Sequence, residues 1–93
     1  MKFYNLKTYI VRYRIKNMPR AFVMINTELG LEKNIIKELK SIEEVKEAYE
    51  VYGVYDIIAK VEAPSMERLN ETVSKRIRNI HGVRTTLTMV VIE

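Results

Sequence analysis

One carboxylate, Asp56, falls inside a run that otherwise has the composition of a β-strand, YGVYDIIAK over residues 52–60. Aspartate is depleted in strands, so Asp56 is either an ordinary turn-adjacent acid or a residue that holds something. Other side chains that could do chemistry are few. His81, in NIHGV, is the single histidine, and cysteine is absent. A zinc-type site needs several nitrogen or sulfur ligands, so no metal is expected, and neither is a disulfide or thiol catalysis. A lone histidine beside a glycine is usually a helix C-terminal residue that suits the helix dipole when protonated. Glu43 with Glu44, and Glu47 with Glu50, are the nearest acidic pairs, and such charged residues are normally solvated. TELGLEKN, residues 27–34, has one glycine and no Gly-Lys-Ser/Thr, hence no phosphate-cradling loop. No Ser-His-Asp arrangement is legible. No cofactor and no enzymatic activity are expected. An enzyme would need a cofactor-free pocket with His81 or Asp56 as its base.

The elements that must position Asp56 follow from periodicity. The 93 residues suit one small domain, and 47% hydrophobic with 30% charged residues is the balance of a globular protein. No run reaches membrane-spanning length, and the charged N-terminus is unlike a signal peptide; a cytoplasmic protein is expected. AFVMINTE (21–28) reads as a strand. GLEKNIIKELKSI (30–42) reads as a helix, with Leu31, Ile35, Leu39 and Ile42 at helical spacing. Residues 44–52 and 55–63 read as strands, 65–80 as a second helix capped by Ser65, and 83–92 as the last strand.

A shift of 38 positions superposes the two halves. Ala21 and Val23 land on Ala59 and Val61, Leu31 on Leu69, Ile35 on Val73, Leu39 on Ile77, and Val45 on Val83. Two such βαβ halves predict an α+β, ferredoxin-like βαββαβ domain with a four-stranded antiparallel sheet and both helices on one face. The repeat assigns Ala21, Val23, Ile25, Val45, Tyr49, Val51, Ala59, Val61, Val83, Leu87, Met89 and Val91 to the helix-facing side. It leaves Phe22, Met24, Ala48, Tyr52, Ile58, Val90 and Ile92 on the outer side, among Glu50, Lys60, Glu62 and Arg84. An apolar patch of that extent marks a contact surface. A symmetric homodimer formed by sheet packing is expected, with Phe22, Met24, Tyr52, Ile58 and Ile92 in its interface; the alternative is that the N-terminal segment folds back and covers the patch. Gly53 and Val54 fit a two-residue hairpin that needs positive φ at the glycine.

The net charge of +4 is uneven. Residues 1–20 carry six of the 16 basic residues and no acid, leaving ten basic against 12 acidic residues elsewhere. Residues 1–19 are therefore set apart as a basic extension from a domain at 20–93. TYIVRYRIK (8–16) alternates as a strand does, with Arg12, Arg14 and Lys16 on one side. That charge either keeps an edge strand soluble or contacts nucleic acid. An RNA-binding sheet is disfavoured, because Glu50 and Glu62 would repel phosphates.

YGVYDIIAKVEAPSMERLN followed by IHGVRTTLTMVVIE resembles the effector domain of Lrp/AsnC, or feast/famine, regulators, called RAM. Its most specific elements are the Gly-x-Tyr-Asp turn at Gly53–Asp56 and the close at Gly82, Val83, Thr86, Thr88 and Val91, and it covers about residues 20–93. Family members carry an N-terminal helix-turn-helix domain, which 20 residues cannot hold, so a stand-alone RAM protein is expected and direct DNA binding is not. The resemblance implies dimers joined into octamer or decamer rings, a small amino-acid effector bound where dimers meet, and regulation of transcription through full-length Lrp/AsnC relatives. It carries the effector site to Gly53, Tyr55 and Asp56, to Met66, and to Thr86, Thr88, Met89 and Val90. There Asp56 would receive the effector's ammonium. Backbone N–H groups near Gly53 would meet its carboxylate, and Met66, Met89 or Val90 would sense its side chain. A nucleic-acid accessory acting through the basic arm, or a small ferredoxin-like enzyme, is the alternative.

Overall fold

The computed structural model describes residues 18–92; the strand expected at 8–16, with Arg12, Arg14 and Lys16, lies outside them. Four strands and two helices follow in the order β1 (Arg20–Thr27), α1 (Glu32–Lys40), β2 (Val45–Glu50), β3 (Ile57–Glu62), α2 and β4 (Val83–Val90). Helix α2 is regular over Met66–Glu71 and continues as a π-helical turn over Thr72–Ile77. The sheet order is β2-β3-β1-β4, and every neighbouring pair is antiparallel. This is the ferredoxin-like α+β architecture that the internal repeat predicts.

The central strands obey the alternation. Ala21, Val23 and Ile25 of β1 and Ile57, Ala59 and Val61 of β3 are fully buried, and they join Ile35, Leu39, Leu69, Val73 and Ile77 of the helices in one core. Ser65 caps α2 as expected, its Oγ accepting the Arg68 N–H at 3.1 Å. Two side-chain bonds accompany the π-turn. Thr72 Oγ1 and Ser74 Oγ donate to the carbonyls of Arg68 and Asn70 at 2.9 and 2.8 Å. Side chains that back-bond four residues upstream compete with the helical ladder and distort it.

The edge strands depart from the expected phase. Val45 lies opposite Val61 and Glu47 opposite Lys60, so two steps of β2 match one of β3. This bulge at Lys46 restarts the alternation. Ala48, expected outside, is buried, whereas Tyr49, expected inside, is exposed. Glu50 lies opposite the buried Ile57, with Oε1 3.9 Å from Lys33 Nζ of α1. In β4 the same thing happens at Arg84, because Thr27 pairs with Val83 but Asn26 with Thr85. Thr86, Thr88 and Val90 therefore oppose Ile25, Val23 and Ala21 on the helix side, while Leu87 and Met89 oppose Met24 and Phe22 on the outer side. The expectations for Leu87, Met89 and Val90 are thus reversed.

The β2–β3 connection also differs. It runs from Val51 to Asp56 rather than through a two-residue turn, and Gly53 has no positive φ. The loop is longer because β1 holds its end: the Asp56 N–H donates to the Ile25 carbonyl at 2.9 Å. The glycine whose conformation matters is Gly82, at φ +98°, where an added Cβ would lie 2.7 Å from Leu31 Cδ1 and 3.1 Å from Leu31 Cβ. Gly82→Ala is expected to cost about 1–2 kcal/mol, from the left-handed backbone and overpacking against α1. A urea titration at fixed protein concentration checks this, and an unchanged midpoint would contradict it.

Candidate functional site

The expected effector residues divide between the two ends of the sheet. At the C-terminal end of β1 lies the Gly53–Asp56 loop. Asp56 Oδ2 accepts the Thr27 N–H at 2.8 Å and lies 3.4 Å from Thr27 Oγ1, while the Val51 N–H donates to the Asp56 carbonyl at 2.8 Å. The carboxylate thereby closes the loop onto β1 and satisfies a backbone donor of the buried Thr27. Thr86, opposite Ile25, belongs to this end. Gly53 and Val54 are exposed and Tyr55 is half-buried.

Met66 belongs to the other end. The Ala63 N–H donates to the Pro19 carbonyl at 3.1 Å, which places the start of α2 beside the beginning of β1. Val90 is there too, opposite Ala21. The eight residues of β1 separate the two groups, a length on the order of 25 Å at strand rise. No amino-acid-sized molecule touches Asp56 and Met66 of one chain together. Thr88 sits between the ends, opposite Val23, and Met89 points with Phe22 to the other face of the sheet.

That outer face has two halves. Its β1–β4 half is apolar, with Phe22, Met24, Leu87 and Met89, of which Phe22, Leu87 and Met89 are each 40–45% exposed. Its β2–β3 half is charged. Lys60 Nζ lies 3.8 Å from Glu47 Oε2 and 3.7 Å from Glu62 Oε2. The Tyr49 hydroxyl donates to Glu47 Oε1 at 2.8 Å, and this bond, with the carboxylate's charge, raises the phenol's pKa above its usual 10.0. Between the halves Arg20, Phe22, Lys60 and Val91 line a hollow of about 230 Å³. Of the expected interface residues, Phe22, Met24 and Ile58 lie on this face. Tyr52 projects from the β2–β3 loop and Ile92 follows β4, both almost fully exposed. Leu87 and Met89 were missed as interface candidates, and the signal that finds them is the β1–β4 register.

Gly53 is a clean probe of the loop, since an added Cβ meets nothing within 4 Å. Gly53→Ala is expected to leave stability within about 0.5 kcal/mol of the parent. Thermal unfolding checks it, and a larger loss would mean that the loop needs the glycine for folding. Among the described residues no group of three His, Asp or Glu side chains could hold a metal ion, and no helix is long and apolar enough to cross a membrane.

A family model described as the Lrp/AsnC ligand binding domain matches residues 20–93. Comparison with curated proteins gives no match. Among solved structures, FFRP-DM1 is 39% identical with a TM-score of 0.78, covering 81% of this chain and 100% of its own. A hypothetical protein from Pyrococcus horikoshii is 38% identical with a TM-score of 0.77, covering 82% and 92%. A transcriptional regulator from Neisseria meningitidis, solved as a complex with L-Met, is similar in fold, with a TM-score of 0.76 at 15% identity, covering 100% of this chain and 59% of the regulator.

Proposed function

This chain belongs to the Lrp/AsnC ligand-binding domain family, and from that premise we propose that it is an oligomeric sensor of an amino acid or related small metabolite. It binds rather than catalyses, and it acts on transcription by associating with full-length Lrp/AsnC regulators. The observation that carries the reading is the split of the expected site. Gly53, Tyr55, Asp56 and Thr86 stand at one end of the sheet, and Met66 and Val90 at the other. A site using both sets needs one end of one chain against the other end of a second chain. Such a head-to-tail contact closes into a ring when its rotation allows. The apolar half of the outer face gives a second contact, in which Phe22, Met24, Leu87 and Met89 pack against a second sheet. Amino acids are the ligand class taken from the Neisseria regulator, which was solved with L-Met.

Titration calorimetry with each of the amino acids tests the proposal, with light scattering to follow assembly. At least one amino acid should give saturable heat. Met66→Ala and Asp56→Asn should each weaken it. Mixing the two variants as subunits should restore about a quarter of the sites, because a site shared head to tail then pairs two intact ends one time in four. Heat that mixing does not restore would refute the shared site, and no heat with any amino acid would leave a purely structural assembly. Leu87→Asp should reduce the assembled mass by placing charges on the packed sheet; an unchanged mass would exclude sheet packing.

A further inference from the structure

The helix layer carries a second concave region, lined by none of the expected effector residues. The C-terminal ends of α1 and α2, with the residues that follow them, border an open groove of about 270 Å³, lined by Glu38, Ser41, Ile42, Lys75, Arg76 and Ile80. Two cations, Lys75 and Arg76, stand side by side on the α2 wall, and two isoleucines line the same groove. Among the described residues neither cation has an acceptor at hydrogen-bond distance. Lys75 Nζ is 3.7 Å from Glu71 Oε2, and Arg76 Nη1 is 3.7 Å from Glu44 Oε1. Glu44 is itself buried, and its Oε1 has no hydrogen-bond partner among the described residues. The Glu44 carboxylate thus holds the Arg76 guanidinium by charge from the core side without saturating its N–H groups. The Ser41 hydroxyl is committed to the Glu38 carbonyl at 2.6 Å, so the two cations are the groove's anion-binding capacity.

The π-turn matters to this wall. In an α-helix residues turn by about 100° each, so Arg76 would stand about 80° around the axis from Arg68, eight positions earlier. The wider turns over Thr72–Ile77 rotate less per residue and bring Arg76 back toward the line of Arg68. Both arginines then meet Glu44, with Arg68 Nε 3.2 Å from Oε2. Single π-turns inside α-helices concentrate at functional sites.

We propose that this groove binds a small monocarboxylate with a short aliphatic body, the carboxylate held by Lys75 and Arg76 and the body against Ile42 and Ile80. Amino acids and their deaminated relatives share that chemistry. Glu38, also on the groove, favours the form that carries an ammonium. The site is independent of the effector reading above, because it uses neither Asp56 nor Met66.

Sodium 3-methylbutanoate, which has no ammonium, is the probe, titrated into the isotopically labelled full chain and followed by amide NMR against a sodium chloride control. Saturable shifts are expected at Glu38–Ile42 and Lys75–Ile80. Lys75 is exposed and outside the core, so Lys75→Gln should fold normally and weaken binding about tenfold, the loss of one charge-assisted bond. Lys75→Arg should restore it and Asp56→Asn leave it unchanged. Leucine in place of the probe should bind at least as tightly at the groove if Glu38 reads the ammonium. Weaker groove binding by leucine would overturn that role of Glu38. Shifts that Lys75→Gln leaves untouched, shifts confined to the Gly53–Asp56 loop, or no shift beyond the salt control would each overturn the site.

Discussion

Asp56→Ala should lower the unfolding free energy by about 2–3 kcal/mol with no ligand present. The sequence reading gives this carboxylate to an effector's ammonium, but in the folded chain its Oδ2 already accepts the Thr27 N–H at 2.8 Å. Thr27 is buried at the end of a central strand, so alanine would leave a largely desolvated backbone donor without its partner. That is a more costly defect than losing an exposed bond, because the desolvation of the N–H is no longer offset. The loop is the second casualty. Asp56 is the residue that fastens Val51–Asp56 to β1, through its side chain and through its own N–H to Ile25. Asp56→Asn keeps an acceptor oxygen in place and should cost about 1 kcal/mol or less, the difference between a charged and a neutral hydrogen bond. Urea unfolding of the three proteins at equal concentration, with hydrogen exchange of the Thr27 amide, checks the pair. Equal losses from Ala and Asn would mean that charge, not the hydrogen bond, is what the fold uses. Because Asp56→Ala disturbs the loop by itself, Asp56→Asn is the variant to use in ligand titrations.

The same residue shows where sequence reading stops. Asp56 was legible as out of place in a strand, but its partner Thr27 is 29 residues away, and no local spacing announces that contact. The architecture was legible because the 38-residue repeat aligns whole βαβ halves, and helical and strand periodicities within each half agree with it. The faces of the edge strands were not. A bulge adds one residue and inverts every side chain beyond it. The bulges at Lys46 and Arg84 lie 38 positions apart, so the repeat duplicated them and gave no internal contradiction. Strict alternation from Val45 and from Val83 then put Tyr49, Leu87 and Met89 inside, and left Ala48 and Val90 outside. The central strands, paired on both sides, have no bulge between Ala21 and Ile25 or between Ile57 and Glu62, and there the alternation held. Gly53 misled for a different reason: glycine permits positive φ without requiring it, and Gly82 uses that freedom where Gly53 does not. The split of the expected effector site between two ends is a property of topology. Residues close together in the motif order, Asp56 and Met66, are separated by the full length of β3.

Removing Arg68 and Arg76 together, as Arg68→Ala with Arg76→Ala, should destabilise the domain by about 3–5 kcal/mol. Both arginines are about half exposed, at 52% and 54%, and taken alone they look like surface ion-pair partners of little value. Their common partner reverses that judgement. The Glu44 side chain is only 7% exposed, and neither of its oxygens would keep a cation after the double substitution. A desolvated carboxylate without a counter-charge is among the most costly groups to bury. The opposite substitution should behave differently. Glu44→Met removes the buried charge and the oxygen that has no hydrogen-bond partner, and it leaves two arginines that water can already reach. Its expected effect is near zero or stabilising, as when buried ion pairs are replaced by apolar side chains of similar size. The Glu44 carbonyl, which accepts the Glu62 N–H at 2.9 Å, is retained in either case, so β2 stays registered on β3. Denaturant midpoints of the parent, the double-arginine variant and Glu44→Met decide the matter. If Glu44→Met costs as much as the loss of both arginines, the triad contributes net stability to the fold. If only the arginine variant is damaged, their stabilising role is to make a buried carboxylate tolerable.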